Sequence, residues 1–212
     1  MLSQIEGRVV GCLLEKERTT PDQYPLTLNS LVSACNQSTS REPVMALEDH
    51  EVETALHGLK GQGLVRFVHA SHGRSVTRYR QVLTEAWGME AEALAVVAVL
   101  LLRGPQTAGE IRTRSERLHE FVSVDQVDAA LRSLADDGRA QLLERQPGQK
   151  EARWQQLVAE EPEVTVTAGR IVSPSPGVAE RMAELEARVA RLEAALADLL
   201  PPSAAGDPMS EG

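Results

Sequence analysis

Two stretches of this 212-residue chain, EVETALHGLKGQGLVRFV and QVDAALRSLADDGRAQLL, superimpose at a constant offset of 75 residues. Val52, Ala55, Leu56, Leu59 and Gly63 fall on Val127, Ala130, Leu131, Leu134 and Gly138. A repeat of this kind means that one supersecondary unit is built twice, which narrows the possible folds more than any single residue does. The apolar positions recur at helical spacing on one face, and the glycine stands where a left-handed helix C-cap is expected. Each copy therefore reads as a helix, a glycine and a strand.

The correspondence continues upstream, where Val9, Val10, Leu13 and Leu14 fall on Val96, Val97, Leu100 and Leu101, now at an offset of 87. Between these apolar helices and the repeated ones lies a third amphipathic segment, LTLNSLVSACN in the first copy and TAGEIRTRSERL in the second. Each is introduced by Thr residues suited to helix N-caps. Two strand-like runs follow the last helix of each copy: LVRFVHA and SVTRYRQV in the first, AQLLERQ and ARWQQLV in the second. Three helices and a β-hairpin describe a winged helix. The sequence thus predicts a mainly α fold with small β-hairpins: winged-helix domains at 1–88 and 89–158, a linker at 159–177, a coiled-coil helix at 178–200 and a disordered tail at 201–212.

The two offsets differ by 12, so the first copy holds a dozen residues that the second lacks. Most of them are expected in or around ACNQSTSREPVM, residues 34–45. Ser38, Thr39, Ser40 and Pro43 favour an ordered loop closing with Val44 and Met45 packed inward. A helix-turn-helix reader joins its last two helices by a turn of about 3–4 residues, so a loop this long departs from the pattern. The expectation is a binding surface for a protein or a phosphate group around Asn36, Gln37 and Arg41; the alternative is that the loop serves packing.

The runs GCLLEKERTTPDQYPLTLNSLVSACNQSTSREPVM and LLLRGPQTAGEIRTRSERLHEF closely resemble the YceH-like family of bacterial proteins, over about Ile5 to Val158. The resemblance implies a tandem winged-helix fold, a charged helical tail and a bacterial cytoplasmic setting. It brings no catalytic residue and no ligand.

In the tail, Val178, Met182, Leu185, Val189, Leu192, Leu196 and Leu199 follow a strict heptad. Arg181 and Arg188 at g face Glu186 and Glu193 at e if two copies pair in parallel. Homodimerisation through Met182, Leu185, Val189, Leu192, Leu196 and Leu199 is therefore expected, the alternative being a helix docked on its own chain. The run ALAVVAVLLL, residues 93–102, is apolar all round and needs cover from the other winged helix or from a second subunit.

Net charge is −9, and much of it lies in the tail, where residues 161–212 hold 4 Lys and Arg against 9 Asp and Glu. Aromatic residues make up only 3% of the chain, too few for platforms on which single-stranded nucleic acid could stack. Cys12 and Cys35 sit in apolar helical patterns and read as buried free thiols, which favours a reducing compartment. The longest apolar run falls far short of the ~20 residues of a membrane span, so a cytoplasmic protein without membrane contact is expected.

No phosphate-binding glycine loop, nucleophile elbow or HExxH motif occurs. Neither catalysis nor a cofactor is expected. His69 and His72 lack a third ligand, so no metal site is expected either. What remains is binding. The first hairpin carries Arg66, Arg74, Arg78 and Arg80 without an acid, and the shared parity of the last three suits a phosphate track along double-stranded DNA. The third helices begin instead with Glu48, Asp49, Glu51 and Glu53, or Asp125 and Asp128, which suit a helix N-terminus and repel phosphate. The first expectation is a DNA-binding regulator using the arginine-rich hairpin; the alternative is a protein-interaction adaptor that uses winged helices as scaffolding.

Overall fold

The computed structural model describes residues 1–69 and 76–161, which belong to one compact unit, Met1–Val164. The first repeat runs α1 (Gln4–Thr19), a 3-10 turn (Pro21–Gln23), β1 (Leu26–Thr27), α2 (Leu28–Cys35), α3 (Asp49–Gly61), β2 (Val65–Val68) and β3 (Arg78–Gln81). A short helix, α4 (Leu83–Trp87), leads into the second repeat: α5 (Ala91–Arg103), α6 (Ala108–Ser115), α7 (Val124–Asp136), β4 (Ala140–Leu142) and β5 (Trp154–Gln156). The described chain is thus mainly helical with two small antiparallel sheets, ordered β1-β3-β2 and β4-β5. None of its helices is long and apolar enough to cross a membrane.

Local sequence sets the helix ends. Ser3 and Glu6 form a capping box on α1, as Thr107 and Glu110 do on α6, while Thr27 caps α2 and Ser123 caps α7. Gly63 and Gly138 adopt φ +72° and +68° and end α3 and α7 in the left-handed turn expected of them. The next amides, of Leu64 and Arg139, donate back to the carbonyls of Leu59 and Leu134. The second repeat has no strand matching β1. A single bridge replaces it, in which Gln106 and Trp154 exchange backbone hydrogen bonds of 3.0 and 2.7 Å.

The two repeats are fused along α1 and α5. Val9, Val10, Leu13 and Leu14 of α1 and Val96, Val97, Leu100 and Leu102 of α5 are all buried in one continuous core. This settles what covers the apolar α5: the first repeat of the same chain. Gly7 and Gly11 allow the approach. A Cβ on Gly11 would lie 2.9 Å from Leu102 Cδ2, and one on Gly7 would lie 2.7 Å from Ala159 Cβ. The GRVVG spacing is a small-residue contact face for the neighbouring helix, a signal that periodicity analysis overlooked.

The ends of the unit are tied as well. Leu2 N–H donates to the Val158 carbonyl and Glu160 N–H to that of Leu2, both at 2.9 Å. Residues 159–161, expected to begin a linker, are therefore held against the start of the chain, and Ala159 is buried. The rest of that linker and the heptad from Met182 to Leu199 lie outside the described residues.

The dozen extra residues of the first repeat are not where they were expected. The N-caps Thr27 and Thr107 differ by 80 positions, and the N-caps Glu48 and Ser123 by 75. Against the offset of 87 between the first helices, seven extra residues fall between α1 and α2 and five between α2 and α3. The seven lengthen α1 and form the 3-10 turn. There Tyr24 Oη accepts a 2.8 Å hydrogen bond from Gln81 N–H, and burial pushes the phenol well above its ordinary pKa.

Candidate functional site

Two regions singled out in the sequence are candidates: the loop 36–48 and the first hairpin. The loop turns inward. Arg41 is 5% exposed, and its guanidinium donates to both Glu15 oxygens (3.1 and 2.6 Å), to Gln37 Oε1 (3.0 Å) and to the Ala34 and Ser40 carbonyls. Burial works against the Arg41 charge, but the bonds to Glu15 and the charges around it raise its pKa on balance. Glu15 mirrors this, with burial raising its carboxyl and Arg41, then Lys16, overriding it to hold the group below the ordinary range. Asn36 pairs with Leu47 in both directions, donating to its carbonyl and accepting from its N–H, each at 2.8 Å.

The structure thus places Asn36, Gln37 and Arg41, the residues expected to form a partner-binding surface, in contacts within the chain itself. Their polar groups hold the loop to α1 and to itself, and Arg41 is not accessible. Val44, expected to pack inward, is 59% exposed; Met45 is half-buried. A second buried arginine, Arg8, escaped notice in the sequence. It donates to the Cys35 carbonyl (3.2 Å) and the Pro43 carbonyl (2.6 Å), and burial lowers its pKa. The loop also reaches the second repeat: Glu42 N–H donates to the Leu102 carbonyl (2.8 Å), and Arg103 donates to Ser40 Oγ (2.5 Å). Cys12 and Cys35 lie beneath it as buried free thiols. The hydrogen bond with Cys12, then burial, holds the Cys35 thiol well above its usual pKa.

In the hairpin, Arg66 lies opposite Arg80, and Val68 opposite Arg78, in register. Opposed residues share a face, so the register puts Arg66 with Arg78 and Arg80, whose shared parity already set those two on one side. They are not free of acid, however. Arg66 and Arg80 both bind Glu85 of α4 at 3.1 Å, and Arg78 donates to the Pro25 carbonyl at 2.8 Å. Arg74 lies outside the described residues. The opposite face of the sheet carries Phe67 and Tyr79, in edge contact at 4.8 Å, and packs on α3, where His57 stands edge-on to Phe67 and Lys60 Nζ lies 4.4 Å above its ring. The arginines and α3 therefore occupy opposite sides of the sheet.

At the start of α3, Glu48 and Glu51 form a capping box, and Glu48, Asp49 and Glu53 are exposed. The acids thus serve the helix end and present negative charge outward.

A family model described as "Protein of unknown function, DUF480" matches residues 2–149, more than half of the chain. A UPF0502 protein of Geobacter sulfurreducens is 46% identical over 201 residues, covering 94% of this chain and 90% of that protein. Another, from Dechloromonas aromatica, is 46% identical over 202 residues, with 93% and 92% covered. A third, from Shewanella piezotolerans, is 47% identical over 205 residues, with 93% and 94% covered. The chain belongs to this DUF480/UPF0502 family of bacterial proteins, in agreement with the YceH-like resemblance of its sequence.

Proposed function

We propose that the chain is a pair of winged-helix units, fused along α1 and α5, that serves as a rigid scaffold for protein partners and not as an enzyme or a reader of DNA bases. The element order of the first repeat and its β1-β3-β2 sheet support the winged-helix assignment, and the bridge at Gln106 supports a reduced version of it in the second.

A winged helix that reads DNA sets its third helix in the major groove, so hairpin arginines aid it only if they face the same duplex. Here the observation that carries the scaffold reading is their separation: α3 packs on the Phe67 face of the sheet, whereas Arg66, Arg78 and Arg80 leave from the other. The exposed Glu48, Asp49 and Glu53 repel phosphate and suit a basic segment of a partner protein. The heptad through Met182, Leu185, Val189, Leu192, Leu196 and Leu199 would join two such scaffolds in a parallel homodimer, which sedimentation of the full chain tests.

A second reading keeps double-stranded DNA as the ligand, held only by phosphate contacts from Arg66, Arg74, Arg78 and Arg80. It draws support from the exposure of the Arg66–Glu85 pair, since such pairs are worth about 0–1 kcal/mol and yield to a competing phosphate. The two readings separate in a titration of random duplex DNA across a salt series. The scaffold reading expects no saturable binding. Binding that weakens steeply with salt and disappears when Arg66, Arg78 and Arg80 are changed to Ala would establish the second reading instead.

A further inference from the structure

A cleft of about 280 Å³ opens where α1, α5, α6 and the loop 36–48 meet. Its apolar lining is Val99, Leu102 and Leu118, and Arg103, Arg114 and Arg117 stand around it. Arginines in such a place ordinarily pair with carboxylates. Here Arg103 donates to the neutral Ser40 Oγ, and Arg114 donates to the neutral Gln106 Oε1 at 2.6 Å. The nearest acid to Arg114, Glu110, is 3.9 Å away and already bound by Arg153 at 2.8 Å. Among the described residues Arg117 makes no ion pair and no hydrogen bond. Of the two carboxylates in the cleft, Glu15 is occupied by Arg41, which leaves Glu116 alone against three guanidinium groups. Burial, then the charge of Arg114, lowers the Arg103 pKa.

We propose that the cleft binds a small phosphate-bearing molecule, with Arg103, Arg114 and Arg117 on the phosphate and the apolar lining against a compact organic body. Guanidinium groups suit the tetrahedral anion because each presents a planar fork of donors to its oxygens. The volume lies just below the range of about 300–1,000 Å³ typical of drug-sized ligands, which sets the scale of the organic part. Ser40 and Thr19, both in the lining, belong to the two segments that the first repeat has and the second lacks. The extra residues thus shape a cleft at the junction of the repeats, which gives them a task beyond fastening. The proposal is independent of the scaffold reading, which concerns α3 and the hairpin.

The test is calorimetric titration of the full chain with inorganic phosphate and with phenyl phosphate, at constant ionic strength maintained with chloride. Saturable binding of phenyl phosphate, tighter than that of inorganic phosphate, is expected. Arg117→Gln, at an exposed and unpartnered side chain, keeps the fold and weakens binding by about 10-fold or more, the usual worth of a hydrogen bond to a charged group. Arg114→Gln has a similar effect, and Arg132→Gln, on α7 and outside the lining of the cleft, has none. Absence of saturable heat, or equal loss in Arg132→Gln, overturns the proposal. So does binding of random duplex DNA that depends on Arg114 and Arg117 while both small phosphates fail to bind.

Discussion

The connectors between the second and third helices of the two repeats solve the same problem differently. In the second repeat residues 116–123 suffice, and their contacts are largely local: Phe121 is buried beside His119, and Arg112 of α6 donates to the Phe121 and Val122 carbonyls. In the first repeat residues 36–48 bind α1 through Arg8, Glu15 and Arg41 and bind α5 through Leu102 and Arg103. One connector closes its own repeat, and the other fastens both. Length alone does not explain the difference, since only five residues separate them. What matters is that a buried guanidinium satisfies several backbone carbonyls at once, which ties a long loop to the helices beneath it.

The largest contrast is expected from the arginines. Arg41→Ala leaves Glu15 partly buried without its partner and strips donors from the Ala34 and Ser40 carbonyls, which should cost about 3–5 kcal/mol. Arg112→Ala in the other connector removes two long hydrogen bonds near the surface and should cost about 1 kcal/mol. Urea denaturation of both variants measures the contrast, and equal losses would remove it.

Next come the glycines. Gly11→Ala forces a Cβ to within 2.9 Å of Leu102 and should destabilise by about 1–3 kcal/mol. Gly109→Ala, at the start of α6, meets only Thr107 Oγ1 at 3.9 Å and should stabilise by about 0.5–1 kcal/mol. Thermal unfolding separates the two signs.

Acid should sharpen the same comparison. The Glu15 carboxyl is held below the ordinary range in the folded state, so its contribution is complete above its unfolded pKa of about 4.3 and is lost as pH falls through the folded value. Wild type should therefore lose stability over the acid interval that begins as pH falls below about 4.3. Glu15→Gln, already weaker at neutral pH, should lose less over that interval, which paired urea midpoints will show. The smallest effect is predicted at the hairpin, where Glu85→Gln should change stability by no more than about 1 kcal/mol because both of its ion pairs are exposed.

Much of the helical framework was legible because periodicity and capping chemistry are local. Thr27, Thr107, Gly63 and Gly138 mark their helix ends, and strand parity placed Arg78 and Arg80 on one face, while only the pairing register added Arg66 to it. The failures concern non-local contacts. Nothing near Arg41 in sequence indicates that it pairs with Glu15, 26 residues earlier. The acid that meets Arg66 and Arg80 comes from α4, a short helix the sequence reading did not separate from the hairpin. The apolar α5 was recognised as needing cover, but its cover became identifiable only with the close approach at Gly7 and Gly11.

The central claim is that the loop 36–48 joins the two repeats, and replacing residues 37–44 by a four-residue turn tests it most directly. Hydrogen exchange followed across α1 and α5, together with urea denaturation, gives the readout. The account predicts a drop of several kcal/mol, because buried Arg8 loses the Pro43 carbonyl and Glu15 loses Arg41, with faster exchange along both helices. A shortened protein with an unchanged midpoint and unchanged exchange in α1 and α5 would contradict it and return the loop to the role of a free binding surface.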